Sequence, residues 1–430
     1  MILFTYNLLL LLALLVGAPY WLFRILTQPR YREGLRERLG GELDRLGAGI
    51  DRTIWVHAVS VGEVMAVSRF IQELETRAPG VRVVVSTTTR TGQKLARERF
   101  GNARCFYFPL DIPWVVQRVV RVVGPAMLVL TESELWPNML DACSRRRIPV
   151  VVVNGRVSDR SLPRYLRLRA AWKPFLSALS LVLAQSEEDR RRFIQIGVPQ
   201  SRVRAGGNLK FDVRMAALLP IVEAVRAQLP AGARVLVCGS TLEGEEAMLL
   251  DAWTEVCARV PNAVMILAPR HPERFLHVAS LLQERRVTWH RRSSWMRDAK
   301  SIQPGSILLL DTIGELASLY ALAHLAFVGG SLVPAGGHNP LEPAQFGVPV
   351  LSGPHYANFR GIVDRLLTRE AIQIVSPQTL AAVLIDLLSH PEAAERMGAR
   401  ALEVFDSEAG ATEVAVNAAL QLLGKNGSPL

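Results

Sequence analysis

The chain has 430 residues, half of them hydrophobic, with a formal net charge of +11 and a pI of about 10.0. That length is ample for two domains with full cores, and the four cysteines (Cys105, Cys143, Cys238, Cys257) form no Cys-x-x-Cys pair, which favours a reduced compartment over a disulfide scaffold. The basic excess comes without zinc-finger spacing, an RNA-binding signature or an aromatic-interleaved basic stretch, so nucleic acid is not the expected partner.

Residues 2–23 carry no charge, and about 20 such residues suffice to span a bilayer. No basic residue precedes the run, as one would before a cleaved signal peptide; the cations Arg24, Arg30, Arg32, Arg36 and Arg38 follow it. The positive-inside rule places that flank in the cytoplasm. The expectation is an uncleaved single-pass anchor with the body of the protein on the cytoplasmic face. A buried or interfacial hydrophobic helix is the alternative. An arginine-rich stretch at 145–173 suits an anionic lipid surface, or simply a solvated helix face.

Short apolar runs then alternate with helical patterns. Expected strands are 53–59, 81–86, 104–108, 126–131, 148–153 and 180–184. A second series follows at 234–238, 263–268, 306–310, 324–328 and 348–351, after a helical stretch around 215–229. Near-continuous apolar strands between helices mean parallel sheets covered on both faces. The fold class is therefore α/β with two doubly wound Rossmann-like domains. The expected division is an anchor at 1–23, an N-terminal Rossmann-like domain at 24–212, a C-terminal Rossmann-like domain at 213–405, and a helix and tail at 406–430.

The chemistry gathers at strand ends. Strand 53–59 runs into Ser60-Val61-Gly62-Glu63 and a helix, where ligands sit in open α/β sheets. Glu63 is thus a candidate base, although Ser60-x-x-Glu63 also reads as a capping box. Strand 126–131 runs into Glu132-Ser133-Glu134-Leu135-Trp136-Pro137-Asn138, and strand 81–86 into a polar loop containing Arg90. In the second half the strand ends carry Gly239-Ser240-Thr241 before a Glu-rich helix, Pro269-Arg270-His271, Asp311-Thr312-Ile313-Gly314-Glu315, and Gly329-Gly330-Ser331 with Gly336-Gly337-His338-Asn339-Pro340-Leu341-Glu342. Glycines admit close backbone approach, helix N-termini offer amides to phosphate, and arginine adds a fork of donors. Asn339-x-x-Glu342 also fits a capping arrangement. There is no GxGxxG, Walker A, HExxH or GxSxG motif and no Asp-x-Asp pair, so neither a dinucleotide cofactor nor a metal is expected.

Together these segments resemble the Kdo transferases (3-deoxy-D-manno-octulosonic acid transferases, glycosyltransferase family 30). The match runs through His57–Glu63, Thr131–Asn138, Gly207-Asn208-Leu209-Lys210-Phe211-Asp212, Ala268–Arg274, Asp311–Leu316 and Gly336–Pro343, in the family's order. The resemblance implies a GT-B arrangement of two facing Rossmann-like domains and a metal-independent inverting transfer of Kdo. The donor would be CMP-Kdo and the acceptor the lipid A precursor, lipid IVA, in lipopolysaccharide biosynthesis. It implies Glu63 as general base, and Glu132 and Lys210 as catalytic residues that stabilise the transition state and hold the donor. Pro269, Arg270, Ile313, Gly314, Glu315, Asn339, Pro340, Leu341 and Glu342 would contact CMP, with Ser60, Arg90, Glu134, Ser240 and His338 as further contacts. No cofactor is implied. A membrane-anchored nucleotide-sugar binding protein without turnover, or a GT-B enzyme using a UDP-sugar, is the alternative.

Overall fold

Both strand series form parallel seven-stranded sheets. The computed structural model of the chain describes residues 1–28, 31–46, 52–215, 217–298 and 301–425. The first sheet comprises β1 (Arg52–His57), β2 (Val81–Thr87), β3 (Cys105–Tyr107), β4 (Pro125–Thr131), β5 (Val150–Gly155), β6 (Leu181–Ala184) and β7 (Val203–Ala205). Their order is β3-β2-β1-β4-β5-β6-β7. The second comprises β8 (Arg234–Thr241), β9 (Ala263–Pro269), β10 (Trp289–Arg291), β11 (Ile307–Leu309), β12 (Leu325–Val328), β13 (Val350–Ser352) and β14 (Ile372–Ile374). Their order is β10-β11-β9-β8-β12-β13-β14.

Each sheet is buried on both faces, which is why its inner strands read as unbroken apolar runs. Along β1, Trp55 joins one core cluster with Phe106 and Leu128, while Ile54 and Val56 join another with Val67, Phe70 and Val129. In the second sheet Leu236 and Met265 face one side, Val235 and Ile266 the other. The strand order reverses between β1 and β4 in the first sheet and between β8 and β12 in the second. Those are the points where the loops leaving the carboxyl ends diverge and open a crevice.

The sequence reading missed β7, β10 and β14. All three are three-residue edge strands, and each exposes part of its surface. The helical stretch expected around 215–229 is shorter, Ile221–Arg226. Residues 426–430 of the expected tail lie outside the described residues.

The chain divides into two units, Met1–Val213 joined by the C-terminal helix Ala411–Lys425, and Arg214–Glu408. Asp212 fastens the returning helix by accepting from the backbone amides of Gly410 (2.6 Å) and Thr412 (2.5 Å). Arg77, at the end of the helix that begins beside Glu63 (Val61–Arg77), donates to Asn417 at 2.6 Å.

The N-terminal helix Ile2–Thr27 has 26 residues, a mean hydropathy of 2.1 in its apolar window and no buried residue. It is long and apolar enough to cross a membrane. Two of its polar residues are nonetheless engaged: the Tyr6 hydroxyl donates to Asp111 (3.0 Å), and the Asn138 amide donates to Asn7 (2.7 Å). Arg38, grouped above with the cationic flank, turns inward instead. Its guanidinium donates to the Thr88 carbonyl and lies 4.6 Å over the Tyr107 ring.

Candidate functional site

At the reversal point of the first sheet, β1 and β4 end side by side. The Thr131 hydroxyl donates to the His57 carbonyl (2.7 Å) and ties the two ends together. His57 is fully buried, stacked at 3.9 Å on Phe108 and bonded through Nδ1 to Ser86 (3.0 Å to Oγ). Burial holds its pKa down at about 3, so it is a neutral packing residue under the loop.

Glu63 stands in the first turn of its helix. One carboxylate oxygen accepts from the Val59 amide (2.9 Å) and the other from the Ser60 hydroxyl (3.1 Å). The reciprocal capping box is therefore not formed: the Ser60 hydroxyl accepts no helix amide and points its proton at Glu63. Burial, followed by the carboxylates of Glu132 and Glu134, raises the Glu63 pKa from 4.5 to about 8.

Glu132 lies directly after β4 with φ of 61°, a left-handed conformation that few non-glycine residues adopt and that clusters at functional sites. Its amide donates to the Val153 carbonyl (3.0 Å), which fixes the turn. Lys210 reaches it from the other end of the unit, Nζ to Oε1 at 3.3 Å, with both side chains mostly buried. Glu134 is half-buried and accepts from the Trp136 indole (3.2 Å); burial raises its pKa as well. The structure thus brings Glu63, Glu132, Glu134, Lys210 and Ser60 together. Arg90 is engaged elsewhere, in an exposed ion pair with Glu33 at 2.8 Å.

A buried amide network, not anticipated from the sequence, holds the Lys210 segment. Asn154, also left-handed (φ 55°), accepts from the Leu209 amide (3.0 Å) through its side chain. Its carbonyl accepts from Gln185 (3.1 Å), which in turn accepts from Asn208 (3.2 Å). Asn208 accepts from the Lys210 amide (3.0 Å). Only Asn208 was part of a noted motif; Asn154 and Gln185 lie far from it in sequence.

In the second sheet the loops after β8, β9, β11 and β12 collect at one edge. Arg270 follows β9, is exposed, and makes no ion pair among the described residues. His338 is pushed down to about 4 by burial, then by Arg270 and His271. Glu342 is pushed up to about 7 by burial, partly offset by Arg270 and a bond from Asn339. Arg270 therefore sits within electrostatic reach of both. The Asn339 side chain accepts from the Leu341 amide (3.2 Å), so it does cap the short turn Leu341–Ala344 that carries Pro340 just ahead. Ile313 is 78 % exposed and Gly314 has φ of 90°, while Glu315 is engaged by Arg292 (2.6 Å) and the Thr312 hydroxyl. Ser240 is left-handed (φ 57°), and a Cβ on Gly329 would lie 2.6 Å from its carbonyl oxygen, so only glycine fits there.

One expectation fails. The Gly329-Gly330-Ser331 loop does not present open amides to a phosphate. Buried Glu245 fills them, accepting from Gly330 (2.6 Å), Ser331 (2.9 Å) and Leu332 (2.9 Å). Arg270, within electrostatic reach of His338 and Glu342, is an exposed cation at this edge. Among the described residues no group of three or more His, Cys, Asp or Glu is arranged to hold a metal ion.

The family profile described as 3-Deoxy-D-manno-octulosonic-acid transferase (kdotransferase) matches residues 33–213. The 3-deoxy-D-manno-octulosonic acid transferase of Haemophilus influenzae is 34 % identical over 389 residues, covering 90 % of both chains. That of Bordetella pertussis is 34 % identical over 403 residues, covering 90 % of this chain and 91 % of its own. Among solved structures, the UDP-GlcNAc 2-epimerase from Neisseria meningitidis superposes with a TM-score of 0.61 at 14 % identity, over 86 % of this chain and all of that one. That likeness is one of fold, two Rossmann-like units of the GT-B class.

Proposed function

The chain belongs to the 3-deoxy-D-manno-octulosonic acid transferase family, and from that premise we propose that it transfers Kdo from CMP-Kdo to the lipid A precursor lipid IVA with inversion, Glu63 acting as general base. The observation that carries the base assignment is the Glu63 carboxyl itself. It stands in the first turn of the helix that follows β1, at the reversal point of the sheet, and has its pKa moved to about 8, near working pH, where a base is most effective. In the proposed step the acceptor hydroxyl oxygen bonds to the anomeric carbon of Kdo as the bond from that carbon to the CMP phosphate oxygen breaks. Glu63 takes the hydroxyl proton. One displacement without a covalent intermediate inverts the carbon.

Lys210, paired with Glu132, balances the charge of these carboxylates, and in this reading its ammonium also meets the Kdo carboxylate. The donor nucleotide is assigned to the second unit. Arg270 would meet the departing CMP phosphate, where preorganised positive charge counts most. Pro269, the 313–315 loop and 339–342 would shape the rest, with Ser240 and His338 beside them.

In this reading the enzyme sits at the inner membrane with its units on the cytoplasmic side, supported by the apolar helix and the Arg24–Arg38 flank, and its arginine-rich surface is drawn to anionic lipid. Single-pass insertion would break the Tyr6 and Asn7 bonds, about 0.5–1.5 kcal/mol each. Transfer of the aliphatic side chains of 2–23 into lipid, at about 0.3–0.6 kcal/mol per residue, exceeds that loss.

The test is incubation of the purified protein with CMP-Kdo and lipid A precursor, with products resolved by mass and the anomer by NMR. Expected is an acceptor heavier by Kdo and release of CMP. Donor binding without turnover would identify a binding protein, and turnover only with a UDP-sugar would replace the donor assignment.

A further inference from the structure

Glu245 and Glu246 open the helix Glu245–Arg259 that follows β8, and both are buried, at 0 % and 1 % exposure. Burying two adjacent carboxylates costs more than apolar packing would, so their placement calls for an account. β8 lies between β9 and β12 in the sheet, so the helix leaving it starts between the two loops that follow those strands.

The two carboxylates turn to opposite sides. Glu245 reaches the loop after β12. Its carboxylate accepts from four backbone amides: Leu242 (2.8 Å) on its own loop, then Gly330, Ser331 and Leu332. That loop is in turn the hub of its edge: the Gly330 carbonyl accepts from Gly337 (2.7 Å), the Ser331 hydroxyl from Gly353 (2.8 Å), and the Ser331 carbonyl from His355 (2.9 Å). A Cβ on Gly330 would lie 2.9 Å from the His338 ring. Glu246 reaches the loop after β9. It takes both arms of the Arg274 guanidinium (2.6 and 3.0 Å) and the Thr241 hydroxyl (2.9 Å). Arg274 is four residues past Arg270, whose own amide donates to the Thr241 carbonyl (3.0 Å).

We propose that Glu245 and Glu246 are paired positioning residues of the donor site. Glu245 holds the Gly330–Leu332 loop against the His338–Glu342 segment, and Glu246, through Arg274, holds the loop that presents Arg270. The carboxylate of Glu245 occupies the amide nest that a phosphate would otherwise take. The donor phosphate is therefore met by side chains, and the glycine loop contributes shape alone. Charge-assisted bonds to a helix first turn suit this task, since they are short, directional and favoured by the helix dipole.

The inference rests on the donor assignment of the second unit, and the experiment separates the two. On the full-length protein, CMP binding is measured by calorimetry for wild type, Glu245→Gln, Glu246→Gln and Arg274→Lys, with steady-state kinetics varying each substrate in turn. Expected is a rise of at least about tenfold in the CMP Kd and the donor KM of both Gln variants, as losing charge-assisted bonds implies. The acceptor KM should stay within about twofold, because the acceptor is assigned to the other unit. Arg274→Lys, which keeps the charge but not the fork, should fall between. A wild type that binds no CMP sinks the donor assignment itself. Folded variants with wild-type CMP affinity, or with donor and acceptor constants equally impaired, overturn the positioning role while leaving that assignment standing. Should Glu245→Gln fail to fold, Glu246→Gln and Arg274→Lys decide by the same criteria, since Arg274 reaches solvent.

Discussion

Replacing Glu63 with Gln separates catalysis from stability, because the structure makes the two respond in opposite directions. The amide oxygen of glutamine still accepts from the Val59 N–H, so the turn is retained; what is lost is the titrating carboxyl. With its pKa at about 8, only about a tenth of wild-type molecules carry an ionised Glu63 at pH 7. The kcat/KM of wild type should therefore rise with pH on an acid limb centred near 8, and the variant should lose about 10²–10⁴ of rate together with that limb. Stability runs the other way. Between the unfolded value of 4.5 and about 8 the native state binds the extra proton, so wild-type stability is fully present below 4.5 and falls as pH rises through that window. The full shift corresponds to on the order of 4–5 kcal/mol, and partial solvent access reduces it to about 1–3. Glu63→Gln should accordingly be the more stable protein at pH 8–9, and the gap should close toward pH 5. Transfer rates and urea unfolding across pH 5–9 measure both. An acid limb near 4.5, or unfolding curves for the two proteins that stay parallel across pH, would refute the reasoning.

Other changes reach the same groups. Glu132→Gln removes the second-largest cause raising the Glu63 pKa, so the acid limb should move to lower pH while kcat falls, read from the same pH profile. Arg270→Ala should raise the donor KM or lower kcat by about 10-fold or more with little change in acceptor affinity, and Arg270→Lys should recover part; a defect seen only against the acceptor would place Arg270 on the wrong substrate. Activity should persist in excess EDTA, since no Asp-x-Asp pair is available to bridge a metal to a diphosphate; loss that magnesium or manganese restores would contradict this. Deleting residues 1–23 should give a salt-extractable protein that still turns over detergent-dispersed acceptor, with residual vesicle binding that weakens as salt screens it. A folded but inactive truncation would show that the Tyr6 and Asn7 contacts matter to the chemistry.

The two doubly wound sheets, the apolar N-terminal helix and the strand ends that carry Glu63, Glu132, Arg270 and Glu342 could all be read along the chain. Each rests on local pattern. Strands buried on both faces must be continuously apolar, and a helix that meets lipid must be uncharged. A polar loop after a buried strand stands out against both. The edge strands β7, β10 and β14 left no such trace, because a three-residue strand with one neighbour and a wet face needs no apolar run. Whether Ser60-x-x-Glu63 was a cap or a base also lay beyond pattern. What bears on it is Glu132 and Glu134, distant in sequence and brought beside Glu63 because β4 pairs with β1, which raise its pKa and support the proposed base. The same holds for Lys210, set by Asn154 and Gln185, and for Gly330 and Ser331, whose amides Glu245 takes from 85 residues away. Composition and periodicity record what a residue must avoid or face; which charges become neighbours is decided by strand order, because a carboxyl responds to charge across space and not along the chain.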